Sequence, residues 1–511
     1  MALFIGVDVG TSGLEAIAVD AERGGLVAAA HRSYPLSTPH PGWAEQEPED
    51  FVEAALDALR ELATALGRRA GEVRGLGLTG QMHSAVLLDR DGALVRPAIL
   101  WCDGRTTAEC RAIVAAVGQE GLRRMAGNRA LEGFTLPKLL WLREHEPERY
   151  ARIERVVMPK DYVTLHLTGV LATDVTDASG TLGFDPGARA FSDELLRAVD
   201  VPRSFFPDAG ESAAALGALT ATAARETGLP EGILVVHGAA DNAAAAVGLG
   251  VVRPGRAMAS IGTSGVVLAY SDAYAVEPSM RLHSFAHAIA GRYYQMGVML
   301  SAGGALRWYR DVLCDGERIA AEVRAVDPYE ILTEAASTAP AGARGVIFLP
   351  YLMGERTPHE DALARGAFVG LTARTTKAEI SRAVLEGITL GLADLLELVR
   401  QSPDSAPIAE LRVTGGGARS TFWRQLMADV LDVDVLLTTS TEGPAFGAAI
   451  LAMVGAGVYA SVEEASDALV HVVSRARPDP VAAARYRAVH DVYRALYPAL
   501  RGAMHALARL E

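Results

Sequence analysis

The run Leu3 to Val9 is apolar except for Gly6 and Asp8, the small residues Gly10-Thr11-Ser12-Gly13 interrupt it, and Leu14 to Val19 is apolar again apart from Glu15. Two apolar runs around a turn of small residues predict a β-hairpin. A third strand, Leu26 to Ala30, follows the turn Glu22-Arg23-Gly24-Gly25. The chain thus opens as a meander, which excludes a dinucleotide fold that begins with a strand feeding a helix. After Pro48, the residues Phe51, Ala55, Leu59, Leu62 and Leu66 recur at helical spacing, with Glu49 and Asp50 suited to a first turn. A strand from Val73 to Thr79 comes next, then apolar runs Ala85 to Leu88 and Leu94 to Leu100 about an Asp91-Gly92 turn. This alternation predicts a mixed α/β lobe.

About half a chain later the opening returns. Met258 to Ile261 leads into Gly262-Thr263-Ser264-Gly265, the same four residues, and then into the β-like run Val266 to Tyr270. The repeat predicts two related lobes whose turns face one ligand. A helix from Thr376, with Glu379 completing a capping box, runs through Ala383, Leu385 and Leu392. A strand Leu411 to Thr414, the triplet Gly415-Gly416-Gly417, a helix near Phe422 to Leu431 and an Ala-rich helix after Pro444 follow. The expected division is a first lobe over residues 1–248, a second over 249–455 and a helical tail over 456–511.

Length and charge narrow the function. A chain of 511 residues exceeds one ordinary core, in keeping with two large lobes. The 48 Lys and Arg against 62 Asp and Glu leave a net charge of −14 without a basic patch, which excludes a nucleic-acid partner. An anionic substrate must therefore be held by backbone amides, a metal ion and a few placed cations. Cys102, Cys110 and Cys314 form no close pair, so a reducing cytoplasm is expected, not a disulfide framework. Asp8 and Glu15 argue against a secretory signal, and the most apolar later window, Val235 to Val252, carries His237, Asp241 and Asn242, which argues against a membrane span.

Candidate chemistry sits at the strand ends. A turn of small residues leaves backbone amides free to bind phosphate oxygens, and its duplication makes Gly10, Thr11, Ser12, Gly262, Thr263 and Ser264 more than ordinary hairpin residues. Asp8, inside an apolar strand, needs a partner such as magnesium, unless it caps its own turn. Asp241 follows the run Ile233 to Val236 and could cap a helix or accept a sugar hydroxyl's proton. Gln81 and His83 follow a buried-looking strand and can hydrogen-bond a sugar, while Trp101 and Asp103 offer an aromatic wall and a charge. Gly416 and Gly417 allow close approach of a nucleoside. His283 and His287 lack a Glu partner in a zinc-type motif and read as internal polar residues.

These segments, together with Pro97-Ala98-Ile99-Leu100-Trp101, Pro159-Lys160-Asp161-Tyr162, Gly354-Glu355-Arg356-Thr357-Pro358 and Gly415 to Arg419, resemble the FGGY carbohydrate kinases, and within them the xylulokinase branch. The resemblance implies an α/β fold of two actin-like (ribonuclease-H-like) lobes, with ATP and a ketopentose, D-xylulose, meeting between them. It implies Asp241 as proton acceptor, Asp8 as the residue that helps hold Mg2+, and Gln81, Met82, His83, Trp101, Asp103 and Asn242 on the sugar side. It implies the two Gly-Thr-Ser-Gly turns at the phosphates, with Gly416, Gly417 and Ser420 bordering the adenosine. Another ketose or polyol, or a weak nucleotide-binding module, remain as alternatives, and a homodimer stays open. One departure stands out: the family usually carries Lys or Arg where this chain has Glu15, which places an acid where a cation would neutralise phosphate charge.

Overall fold

A computed structural model describes residues 2–403, 405–439 and 443–510. The hairpin forms as expected: β1 (Leu3–Val9) pairs antiparallel with β2 (Gly13–Asp20), and β2 with β3 (Leu26–Ser33). Helix α1 (Pro48–Leu66) buries Phe51, Ala55, Leu59 and Leu62 against this sheet and returns the chain to β4 (Val73–Gly80), which runs parallel to β1. Strands β5 (Ala215–Ala218) and β6 (Leu234–Val236) complete the order β5-β6-β4-β1-β2-β3, and β7 (Ala239–Ala240) also pairs with β4. Of the apolar run Leu94 to Leu100, only Ala98–Ile99 forms a strand; Arg96 within it is instead buried in ion pairs with Glu45 and Glu146.

The second sheet repeats this plan. Strands β8 (Arg256–Ile261), β9 (Gly265–Ser271), β10 (His283–Ala286), β11 (Tyr293–Met299), β12 (Glu410–Gly415), β13 (Asp434–Thr438) and β14 (Val472–Ala476) lie in the order β10-β11-β9-β8-β12-β13-β14. The hairpin β8–β9 followed by a parallel β12 matches β1–β2 followed by β4. The sequence repeat is thus a structural duplication, and the capping box of Thr376 with Glu379 starts the buried helix Lys377–Arg400.

Packing runs across the division at residue 248. Helix α2 (Asp241–Gly248) and helix α3 (Gly443–Gly455) both lie on the first sheet, although α3 comes from the second chain segment. Small residues permit this: a Cβ on Gly6 would sit 1.8 Å from the Ala445 carbonyl oxygen, and one on Gly447 would sit 1.9 Å from that of Ala244. The tail is not wholly helical, because β14 adds an edge strand to the second sheet and helix Pro480–Ala508 buries Tyr486, Tyr493 and Tyr497 in that lobe's core. Exposed Val472 and Val473 gave no alternation from which to expect this strand. Among the described residues no helix is long and apolar enough to cross a membrane.

Candidate active site

Asp8 lies one residue before the end of β1 and Asp241 opens α2, with β4 between them: Asp8 pairs with Thr79, and Thr79 with Ala239. Two strand spacings set the backbones roughly 10 Å apart at the carboxyl edge of the parallel strands, where α/β folds bind ligands. Glu15 is the cross-strand partner of Asp8, so both side chains stand on the same face. Burial, reinforced by the charges of Asp241 and Glu15, pushes the Asp8 carboxyl up to about 8, and Asp8 Oδ1 has no hydrogen-bond partner. A hard carboxylate oxygen left orphaned beside two further acids fits a magnesium ion.

Asp241 is held by its neighbour, as the Asn242 backbone N–H and Nδ2 donate to Oδ1 at 2.7 and 2.9 Å. Burial outweighs these bonds and raises its carboxyl to about 6. Such a group is ionised at neutral pH and still basic enough to take a hydroxyl proton. Asn242 Nδ2 lies 4.0 Å from the Met82 sulfur, which brings Met82 alongside the base. His83 has φ +70° and is fixed from behind: Lys138 Nζ and Thr135 Oγ1 donate to its carbonyl at 2.8 and 3.0 Å. Burial pushes the His83 ring down to about 3, so it stays neutral. Lys138 was absent from the sequence reading; only its place in a helix that packs under His83 reveals it.

Gln81 and Asp103 have their polar side-chain atoms engaged within the protein. Gln81 is 1% exposed, its Nε2 donates to Gln46 Oε1 and the Gly10 carbonyl, and its Oε1 accepts from Ser84. Asp103 is buried, with both oxygens taken by Arg105 and the Ala44 N–H. These bonds tie both residues into the scaffold around the first turn. Trp101 is half-buried and donates Nε1 to Thr11 Oγ1 at 2.8 Å, which ties the aromatic wall to the first turn. His283 and His287 have internal partners, Asn128 and the Val251 carbonyl.

The two turns share a construction. Gly10 N–H donates to the Gly13 carbonyl and Gly262 N–H to that of Ser264, while among the described residues no acceptor meets the amides of Thr11, Ser12, Thr263 or Ser264. Paired free amides in a tight turn form an anion nest. Gly262 and Thr263 open onto a cleft of about 890 Å³ that Gly416, Gly417 and Ser420 also line, so five residues chosen from sequence converge there. Ser264 and the first turn do not line this cleft; the first turn stands at the Asp8 edge. Ser420 Oγ also caps helix Thr421–Leu431 by accepting from Trp423 N–H. The cleft adds Arg307, Tyr329 and Phe422, which the sequence reading did not select. Gly303-Gly304 ahead of Arg307 was the available signal: Gly303 N–H donates to the Gly262 carbonyl at 2.8 Å, an approach a Cβ would block.

Comparison with known proteins adds to this geometry. The N-terminal domain of the FGGY family of carbohydrate kinases matches residues 3–248, and its C-terminal domain residues 257–456. The chain is 40% identical over 502 residues to a xylulose kinase of Escherichia coli (strain K12), across 98% of this chain and 99% of that protein. A solved xylulose kinase from Rhodospirillum rubrum superposes with a TM-score of 0.90 at 33% identity, covering 98% of this chain and all of the other. A gluconate kinase from Lactobacillus acidophilus reaches 0.90 at 27% identity, with 98% of each chain covered.

Proposed function

The chain belongs to the FGGY family of carbohydrate kinases, with two actin-like lobes, and from that premise we propose that it transfers the γ-phosphate of ATP to D-xylulose, giving xylulose 5-phosphate. The carrying observation is Asp241, an ionised but raised carboxylate placed at the same sheet edge as the first anion nest and the orphaned Asp8 oxygen. The choice of D-xylulose follows the Escherichia coli and Rhodospirillum rubrum relatives. Met82, His83 and Asn242 orient the sugar, Asp241 takes the proton of the attacking hydroxyl, and the Thr-Ser amides receive the phosphate oxygens. Adenosine occupies the cleft beside Gly416 and Gly417. Asp8 would hold magnesium, whose charge neutralises that developing on the transferred group.

ADP release measured across D-xylulose, D-ribulose, xylitol, glycerol and gluconate tests the reading. The highest kcat/KM is expected with D-xylulose; a clear preference for any other member of the panel overturns the substrate and leaves the kinase. ADP release that no sugar stimulates would favour a nucleotide-binding module.

Glu15 yields a separate expectation, because its charge acts on Asp8 directly across the hairpin. Glu15→Lys changes the local charge by two units, and a transition-state gain of about 1.4 kcal/mol raises kcat about tenfold. Glu15→Gln should fall between. Loss of activity in both variants would instead assign Glu15 a positive part in catalysis, at the metal's water shell.

A further inference from the structure

Arg356 is the most unusual cation near the sugar side. It belongs to the second chain segment, yet a Cβ on Gly133 in the first would sit 4.0 Å from Arg356 Nη2. Gly133 in turn gives its carbonyl to Lys138, the residue that holds His83. The backbone carrying Arg356 is pinned on both sides: Glu355 Oε1 accepts from the Leu300 and Arg356 N–H groups at 2.9 and 2.8 Å, Thr357 N–H donates to the Val298 carbonyl, and Thr357 Oγ1 to that of Arg281. Glu360 of the same loop pairs with Arg129 of the first segment. The guanidinium itself, half-buried, has no hydrogen bond or ion pair among the described residues. A guanidinium carries five donors in a planar fork, and a ligand rich in oxygen atoms would give them acceptors.

The neighbours say which ligand. Asp241, Asn242 and Met82 are in contact in that order, His83 adjoins Met82 in the chain, and the charge of Arg356 adds to burial in keeping the rings of His83 and His283 neutral. We propose that Arg356 is the second lobe's contact on the substrate, donating to the oxygens at the end of the ketose remote from the phosphorylated hydroxyl. Engagement of the lobes then depends on the sugar being present. This rests on the sugar-kinase reading above, and it adds a residue that selects for a chain long enough to span from Asp241 to Arg356.

Steady-state kinetics of Arg356→Gln and Arg356→Lys, with sugar and ATP varied separately, test it, using whichever sugar in the panel the unaltered enzyme prefers. Loss of a charge-assisted hydrogen bond should raise the sugar KM about 10- to 100-fold in Arg356→Gln, with the ATP KM changed by less than about twofold and partial recovery in Arg356→Lys. Glu360→Gln, which loosens the loop's docking without touching the guanidinium, should leave the sugar KM within about threefold. An unchanged sugar KM in an Arg356→Gln protein with a normal melting curve overturns the proposal, and so does an equal rise in both KM values. A preferred sugar other than D-xylulose would refute the substrate reading while the Arg356 comparison still stands; failure to phosphorylate any sugar refutes both.

Discussion

Asp241→Asn is expected to lower kcat by about 10²- to 10⁴-fold while the KM for ATP stays within about twofold, because the role proposed for the carboxylate is on the sugar hydroxyl and not on the nucleotide. The amide keeps the oxygen that accepts from Asn242, so the helix start should survive. The carboxyl of Asp241 stands at about 6, above its usual 3.8, because burial disfavours its charge. The base must be unprotonated, so kcat should fall as pH drops through about 6, and this limb should vanish in the variant. The same shift has a sign for stability: a folded-state value above the unfolded one means ionised Asp241 opposes folding at pH above about 6 and ceases to do so below about 4. Asp241→Asn should therefore melt no lower than the parent at neutral pH. A variant that keeps normal kcat would show that another group takes the proton; a lower melting temperature would place Asp241 in the scaffold.

Lys160→Met is expected to lower the free energy of unfolding by about 3–5 kcal/mol, a large part of the 5–15 kcal/mol typical of a folded domain. Lys160 is fully buried with Asp161, Asp174 and Asp177 at 2.5, 3.1 and 3.2 Å from its ammonium group. Its three acidic neighbours push its pKa up, and burial pushes Asp177 well above the usual carboxylate range. Removing the cation leaves buried acids whose only remedy is to take up protons. The consequence reaches the active edge, since Asp174 accepts from Thr176 Oγ1 at 2.6 Å and Thr176 Oγ1 accepts from the Ala240 N–H at 2.7 Å, one residue before Asp241. Urea denaturation should show a lower midpoint, with kcat reduced even at low denaturant. Asp177→Asn, which replaces a group already inclined to hold its proton, should cost much less. A Lys160→Met midpoint equal to the parent's would dismiss the cluster as a support for the base.

The residues of sequence that proved legible share a short range. Hairpins, the Thr376 capping box and the glycine turns depend on neighbours a few positions away, so alternation, turn chemistry and the duplicated Gly-Thr-Ser-Gly sufficed to anticipate them. Asp8 and Asp241 were legible because a polar residue in or just after an apolar strand is conspicuous. Gln81 and Asp103 looked equally conspicuous, yet Gln46, Ser84, Ala44 and Arg105 consume their polar atoms, and those partners come from distant segments or from backbone whose direction no pattern reveals.

By itself, then, the sequence determined two related α/β lobes, the carboxylates at the strand ends of the first and the paired turns, since each follows from local periodicity and side-chain type. Only the tertiary structure decided that helix Gly443–Gly455 would lie on the first sheet through glycines, that a single lysine would gather three aspartates behind Asp241, and that Arg356 of the second segment would come to lie beside Gly133 of the first. Each of these depends on contacts between segments far apart in the chain, and such contacts are set by how whole surfaces fit together.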